Sequence, residues 1–195
     1  QQFESRIGIR PGEKRRFFLE VGAKYRWRPE EHFFGLREAV PDLRGIAIYD
    51  RDVPVPENSH LRHLTWRRYE LENYLLHPQV LRAFSRAGLP YGLFGLVEAD
   101  RRESVMEQCL QDLVPPVAYR NPEDRWWQEV KASEFLDRLF EEYFRRLDLP
   151  NAMRKTDYHQ LARFVDPQLI PSEVGEKLDA IAEVAADAEA AAPLP

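Results

Sequence analysis

A short apolar run that ends in two aspartates constrains this chain more than any other segment. Residues 45–49 (Gly-Ile-Ala-Ile-Tyr) are continuous, partly β-branched and bounded by turn residues, which predicts a short strand buried on both faces. Because side chains alternate along a strand, Asp50 and Asp52 are expected on one side of its carboxyl end and Arg51 on the other. Two carboxylates about 4 Å apart repel by about 4 kcal/mol at an effective dielectric near 20. Such a pair favours a cation between its oxygens, and Mg²⁺ or Mn²⁺ suits these ligands.

The same residues admit a second interpretation. Aspartate is common in the turns that follow strands, and residues 53–59 form a proline-rich loop. The pair is then a solvated turn without a ligand. Against this stands its position at the carboxyl end of a strand, where ligands bind in open α/β sheets.

Composition is that of a soluble globular protein of one domain, or of one small domain with an extension. Of its 195 residues 44% are hydrophobic and 31% are charged. No apolar stretch approaches the roughly 20 residues of a membrane span, and no signal peptide opens the sequence. The single cysteine, Cys109, excludes an internal disulfide and fits a reducing cytosol, and its helical context predicts a buried thiol. We therefore expect a cytoplasmic protein without membrane contact.

Charge is distributed unevenly along the sequence. The net charge of −5 argues against a general nucleic-acid-binding protein. Residues 1–90, however, carry 16 Lys and Arg against 12 Asp and Glu, whereas residues 91–195 carry 12 against 21. The basic excess therefore lies in the half that holds the aspartate pair, and Arg67 and Arg68 are candidate contacts to a polyanion such as DNA. Charged surface without a partner is the alternative.

The first part of the chain predicts a small α/β unit. We expect strands over residues 16–21 and 45–49 and a helix over 29–40, which begins with a proline and two glutamates. A strand, a helix and a strand in this order predict parallel strands joined by a right-handed crossover, with the helix on one face.

The second part is predicted to be helical. Residues 64–76 alternate and then turn apolar, which predicts a strand that runs into a helical region near Pro78. Further helices are predicted around 80–84 with a stop at Gly88, from an Asp100/Glu103 capping box, over 127–147, over 158–165 and from Ser172. The predicted domains are thus 1–76 (α/β), 77–184 (helical) and a frayed Ala-rich tail, 185–195.

A second candidate site lies in residues 67–76 (Arg-Arg-Tyr-Glu-Leu-Glu-Asn-Tyr-Leu-Leu). If strand pairing brought one of its carboxylates beside Asp50 and Asp52, three carboxylates would complete a cation site. The alternative is an edge strand with solvated charges. A weaker rival is a zinc site at His60 and His63, for which no third nitrogen or sulfur ligand lies nearby in the sequence.

Together these motifs resemble a known family. A Tyr-Asp50-Arg-Asp52 motif, followed about twenty residues later by Arg-Arg-x-x-x-Glu72-Asn-Tyr-Leu-Leu, is similar to the TOPRIM domain of OLD-type ATP-dependent nucleases. The segment from Met153-Arg-Lys155 to Ile181 is similar to the helices that close such proteins. The resemblance implies an α/β fold with a small, mainly parallel TOPRIM-like sheet and a helical C-terminal extension.

The resemblance also implies a role for particular residues. Asp50 and Asp52 would hold Mg²⁺ or Mn²⁺ at the strand end, and Glu72 would ligate or order that site, with Glu70 as the alternative. Lys155 would stabilise charge on the scissile phosphate, which fits a reaction that needs cations around the developing phosphorane. Asp50 and Lys155 are therefore the candidate catalytic residues of a DNA endonuclease.

The chain departs from the family pattern in one respect. A TOPRIM fold begins with a strand that ends in a catalytic glutamate, and Glu20 followed by Val21-Gly22 looks superficially like it. Only one helix separates Glu20 from Asp50, so residues 16–22 align with the second strand, and we expect the first strand upstream of Gln1. No phosphate-binding loop of the G-x-x-x-x-G-K-[ST] kind occurs, so ATP would act only through another domain.

Two functions follow as hypotheses. The first is a metal-dependent DNA phosphodiesterase driven by an upstream ATPase domain or subunit, in a homo-oligomer, with anti-phage defence as the role of several such proteins. The second is a TOPRIM-like scaffold that has lost the chemistry and mediates assembly.

Overall fold

The structure, a computed structural model, describes residues 28–54 and 60–187. Its fold is mixed α/β, mostly helical, with one two-stranded parallel sheet in the described part. In chain order, the described elements are α1 (Arg28–Ala39), β1 (Gly45–Tyr49), β2 (Leu61–Thr65), a 3₁₀-helix (Leu71–Tyr74), α2 (Pro78–Ser85), α3 (Leu93–Leu113), α4 (Pro116–Arg120), α5 (Trp126–Glu129), α6 (Ala132–Leu147), 3₁₀-helices (Lys155–Phe164 and Pro167–Leu169) and α7 (Ser172–Asp187). None of the described helices is both long enough and apolar enough to cross a membrane.

The described residues divide into two units, of which the first contains the sheet. It comprises residues 28–49, 53–54, 60–65 and 173–187. Strands β1 and β2 pair in parallel from Gly45↔Leu61 to Tyr49↔Thr65. Helix α1 packs on this sheet through the buried Phe33, because Gly45 has no side chain: a Cβ there would lie 2.7 Å from the Phe33 ring. The predicted helix therefore lies on the sheet as expected.

The second unit comprises residues 50–52 and 66–172 and contains a large helical core. Helices α2, α3 and α6 pack around it, and the 3₁₀-helix Lys155–Phe164 closes it with Tyr158 and Leu161. The predicted burial of Cys109 is confirmed, and burial raises the pKa of its thiol to about 11. The predicted boundary at residue 76 falls inside this unit.

Several predicted elements differ from the structure. Residues 66–76 do not continue a strand but turn into the 3₁₀-helix, and β2 lies earlier than expected. Helix α3 begins at Leu93 rather than Asp100, and Asp100 and Glu103 lie inside it and pair with Arg86. The helix predicted over 127–147 is broken between α5 and α6. Strand β1 is half-buried rather than buried on both faces. The strand predicted at 16–21 and the tail beyond 187 lie outside the described residues.

Two glycines in helices should respond to alanine in opposite directions. A Cβ at Gly95 would meet the Pro90 carbonyl oxygen at 1.8 Å, so Gly95→Ala should lower the free energy of unfolding by about 1–3 kcal/mol. Nothing lies within 4 Å of a Cβ at Gly35, in α1, so Gly35→Ala should raise it by up to about 1 kcal/mol. Urea unfolding of both variants measures the two effects, and equal effects would contradict the packing at Gly95.

Candidate functional site

The chain turns directly after β1, and this turn carries Asp50. The Arg51 amide donates a hydrogen bond to the Tyr69 carbonyl at 3.4 Å, and the Tyr69 amide donates to the Gln128 carbonyl at 3.1 Å. The Leu71 amide donates to the half-buried Asp50 carboxylate. Asp50 is thus held against the start of the 3₁₀-helix Leu71–Tyr74.

Asn73 fixes the position of that short helix. Its side chain is fully buried, accepts a hydrogen bond from the Glu70 amide at 2.8 Å, and donates to the carbonyls of Trp127 (3.0 Å) and Val130 (2.9 Å). An amide can satisfy an N–H and two carbonyls at once, which a carboxylate or an alkyl group cannot. The Glu-Asn-Tyr motif is therefore attached to the end of α5.

Glu70 is bound to the start of α6, which follows the interruption after α5. Its carboxylate accepts hydrogen bonds from the Ser133 amide at 2.8 Å and from the Ser133 hydroxyl at 3.1 Å. Ser133 lies in the first turn of α6, where backbone N–H groups are unsatisfied and a negative charge is favourable. Both oxygens of Glu70 are thus engaged with the first turn of α6.

Three carboxylates therefore gather in the second unit, and we call Asp50, Glu70 and Glu72 the acidic cluster. Burial, and next the negative charge of Glu70, raise the pKa of Asp50 above its ordinary value. Burial also raises the pKa of Glu72, and the charges of Glu70 and Asp50 add to that increase. The negative charge of Glu70 thus makes Asp50 and Glu72 harder to ionise, which favours a proton or another cation at these two carboxyls.

Lys155 is the basic side chain whose charge opposes that trend at Asp50 and Glu72. Its positive charge lowers the pKa of both carboxyls, which places it within electrostatic range of each. Lys155 begins a 3₁₀-helix that Met153, Tyr158 and other buried residues anchor in the core. A lysine at residue 155 therefore lies within electrostatic range of the acidic side chains at residues 50 and 72.

Asp52 has a different environment from Asp50. Its side chain is 69% exposed and forms an ion pair with Arg51 at 3.6 Å. The expectation that Arg51 would point away from both aspartates was wrong, because strand alternation ends at Tyr49 and the chain turns at Arg51. Arg51 also lies 3.7 Å from Glu129 and over the Tyr69 ring.

The two candidate DNA contacts also differ from each other. Arg67 is exposed. Arg68 donates to the Asn73 carbonyl at 2.7 Å, lies 4.8 Å from the Tyr74 ring centre and lines a cavity of about 200 Å³. Arg68 thus stabilises the segment that carries the acidic cluster, whereas Arg67 is presented to solvent.

The donor set can be compared with what Mg²⁺ or Mn²⁺ requires. No group of three His, Cys, Asp or Glu side chains in residues 28–54 and 60–187 is arranged to hold a metal ion. Asp50 and Glu72 carry hard oxygen donors within electrostatic range of each other, and these cations often keep several waters as their remaining ligands. The chemistry of these two donors suits a divalent cation, whereas the Asp52 carboxylate pairs with Arg51.

His63, considered above for zinc, lies in the first unit. Its Nδ1 is 3.1 Å from the Tyr49 hydroxyl, and its buried Nε2 is 3.5 Å from a Glu30 oxygen. Burial lowers the pKa of this imidazole, although the charge of Glu30 opposes the change. The geometry is that of a neutral core histidine stacked on a tyrosine.

Two features of this region were not predicted from the sequence. They are the contact of Ser133 with Glu70 and the buried hydrogen bonds of Asn73. Ser133 follows no cap pattern, because the residue that caps α6 with its carboxylate is Glu70, 63 positions earlier. The signal that could have indicated it is the Lys-Ala-Ser sequence at a helix start, which is too common to be specific.

Comparison with known proteins adds no relative. No protein-family model, no curated protein and no solved structure matches this chain.

The raised pKa of Asp50 predicts a pH-dependent effect of Asp50→Asn. A folded-state pKa above the unfolded value of 3.8 means that the folded protein binds the proton more tightly, so wild-type stability falls as pH rises through this range. Asparagine keeps the acceptor for Leu71 but has no charge. Asp50→Asn should therefore be more stable than wild type at pH 7, and this gain should disappear below about pH 3.8.

Urea unfolding at pH 7 and pH 3.5 measures this difference. Asp42→Asn, at an exposed aspartate, is the matched control and should show no such gain. A variant with Asp50→Asn that is less stable than wild type at pH 7 would contradict the raised pKa.

Proposed function

We propose that this chain is the metal-dependent DNA endonuclease part of an OLD-type ATPase–nuclease, with a TOPRIM-like domain that acts in the cytoplasm. The observation that carries the proposal is the electrostatic coupling of Asp50, Glu72 and Lys155. These residues are far apart in the sequence, and they are three of the four that the family resemblance assigns to one active site, the fourth being Asp52. DNA and an ATPase domain or subunit would be its partners.

The acidic cluster supports the metal part of this proposal. Asp50 and Glu72 repel each other and are both partly desolvated, so a divalent cation would lower their free energy more than it would at separated surface carboxylates. A bound Mg²⁺ or Mn²⁺ would supply a water of lowered pKa and charge for the phosphate oxygens. The chain's own contribution is to position these two carboxylates. The Leu71 amide donates a hydrogen bond to Asp50, and the hydrogen bonds of the neighbouring Asn73 side chain fix the short helix that carries Glu72.

Lys155 supports the phosphodiester part. Its ammonium is exposed and within electrostatic range of Asp50 and Glu72, so it would attract an anion bound beside them. A lysine acts as a point charge at phosphate, with three donors that need no fixed plane. Exposed Arg67 adds a second cation that is able to contact the DNA backbone without sequence preference.

The alternative is a TOPRIM-like scaffold without catalysis. It is favoured by Asp52, which is exposed and paired with Arg51 rather than directed at Asp50. In that case the acidic cluster is a structural connection between the 3₁₀-helix Leu71–Tyr74 and α6.

Cleavage of supercoiled plasmid DNA in Mn²⁺ separates the two functions. The intact protein should nick or cut the plasmid, and chelation of the metal or Asp50→Asn should abolish the reaction, whereas Asp42→Asn should leave it unchanged. A protein that neither cuts DNA nor binds Mn²⁺ saturably would be the scaffold.

A further inference from the structure

An apolar surface at the start of α3 stands apart from the acidic cluster. Five large apolar side chains lie within seven residues, with exposed fractions from 60% (Leu96) to 107% (Tyr91). We call the side chains of Tyr91, Leu93, Phe94, Leu96 and Val97 the α3 patch. On a helix, positions three and four apart are neighbours, so Leu93, Phe94, Leu96 and Val97 form one continuous surface.

The backbone at the start of α3 has a well-defined local geometry. Gly92 has φ 109°, a conformation that side chains rarely adopt, and its carbonyl accepts the first helical bond from Leu96 at 3.1 Å. The Pro90 carbonyl approaches Gly95 so closely that no Cβ fits between them. Local backbone contacts therefore define the helix start that carries the patch.

The charges beside the patch are neutralised within the chain. Glu98 binds Arg101 at 2.7 Å and Arg102 at 2.8 Å, and Arg86 binds Asp100 at 2.9 Å and also Glu103. A nucleic acid requires uncompensated cations, which these paired arginines do not offer. Two copies of one surface meet their own charges across a twofold axis, and internal pairing removes the repulsion that this would otherwise cause.

The exposed area of the patch is also close to what each partner contributes to an interface of standard size. Two aromatic and three aliphatic side chains exposed to this extent offer on the order of 700 Å². A specific interface of standard size needs about 800 Å² from each partner, which the patch and its polar edge together supply. Monomers rarely expose an apolar surface of this size.

We propose that the α3 patch is the contact surface of a homodimer, in which α3 packs against α3 of a second copy. The proposal is independent of the acidic cluster and of any nuclease activity. Phe94 and Tyr91, the most exposed residues of the patch, are its central contacts, since buried aromatic residues dominate the energy of most interfaces.

Sedimentation velocity of the purified chain between 1 and 100 µM tests the proposal. Wild type should be a dimer whose fraction rises with concentration, and Phe94→Glu should raise the dissociation constant at least 10-fold. Leu93→Lys is a second variant with the same expected result. Val117→Glu, at an apolar residue 70% exposed outside the patch, is the matched control and should dimerise as wild type does.

Circular dichroism and thermal unfolding keep the test interpretable, because side chains this exposed contribute little to folding. A wild-type protein that stays monomeric throughout this range would overturn the proposal. This holds even if the patch then proves to bind a different protein. Dimerisation that Phe94→Glu and Leu93→Lys leave intact would overturn it as well.

Discussion

Lys155→Ala is expected to reduce metal-dependent DNA cleavage by about 10²–10³-fold, the usual effect of removing one group that stabilises a developing charge. The ammonium is exposed, so its loss should change the free energy of unfolding by less than about 0.5 kcal/mol. Mn²⁺ affinity should not fall, because Lys155 lowers the pKa of Asp50 and Glu72 without being a ligand itself. Loss of cleavage with retained metal binding is therefore the expected result.

Two control variants make this result interpretable. Lys131→Ala removes the same charge from a lysine that pairs with Glu134, and cleavage should remain within about twofold of wild type, since surface pairs of this kind contribute little. Asp50→Asn should lose both cleavage and Mn²⁺ binding. Plasmid cleavage and calorimetric titration of Mn²⁺ measure the two quantities, and full activity of Lys155→Ala would remove Lys155 from the proposed chemistry.

Asn73→Ala is expected to lower the free energy of unfolding by about 3–5 kcal/mol, since it leaves three buried polar groups without a partner. These groups are the Glu70 amide and the carbonyls of Trp127 and Val130. Through these hydrogen bonds the Asn73 side chain also connects the segment of the acidic cluster to the end of α5. The variant should therefore lose metal affinity together with stability.

Asn121→Ala is the matched control for this substitution. The Asn121 side chain accepts a hydrogen bond from the Glu123 amide at an exposed position, so water can replace it and the cost should be about 1 kcal/mol or less. Urea unfolding of both variants measures the difference. Equal costs would contradict the assignment of Asn73 as the buried connector.

The parts of the fold that were predictable are those with local signals. The bounds of β1 agree with the apolar run, and α1 begins within one residue of the predicted start, where Pro29 and two glutamates indicate a first turn. In both cases the physical cause lies within a few residues of the effect. Strand alternation and helix caps are local in this sense.

The parts that were not predictable depend on distant residues. The alternating pattern at 64–76 predicts a strand, but Asn73 binds carbonyls 54 and 57 positions away and Glu70 binds Ser133, which favours a 3₁₀-helix there. Likewise Asp100 and Glu103 resemble a helix cap in sequence, but they lie inside α3 and pair with Arg86, 14 and 17 positions earlier. No local pattern encodes these contacts.

The candidate site divides in the same way. The position of Asp50 and Asp52 after a strand predicted that they form a pair, yet their environments in the structure differ. The association of Lys155 with this region came from the family resemblance and from no feature of its own neighbourhood. Metal binding and catalysis by these residues stay predictions.

Paramagnetic broadening by Mn²⁺ in NMR spectra of the intact protein tests the central claim most directly. Substoichiometric Mn²⁺ should broaden the side-chain carboxyl signals of Asp50 and Glu72 first, and those of the exposed Asp42 much later, with saturation at a defined stoichiometry. Asp50→Asn should abolish the selective broadening. Broadening that is spread evenly over the acidic surface, or that spares Asp50 and Glu72, would contradict a divalent-metal site at the acidic cluster.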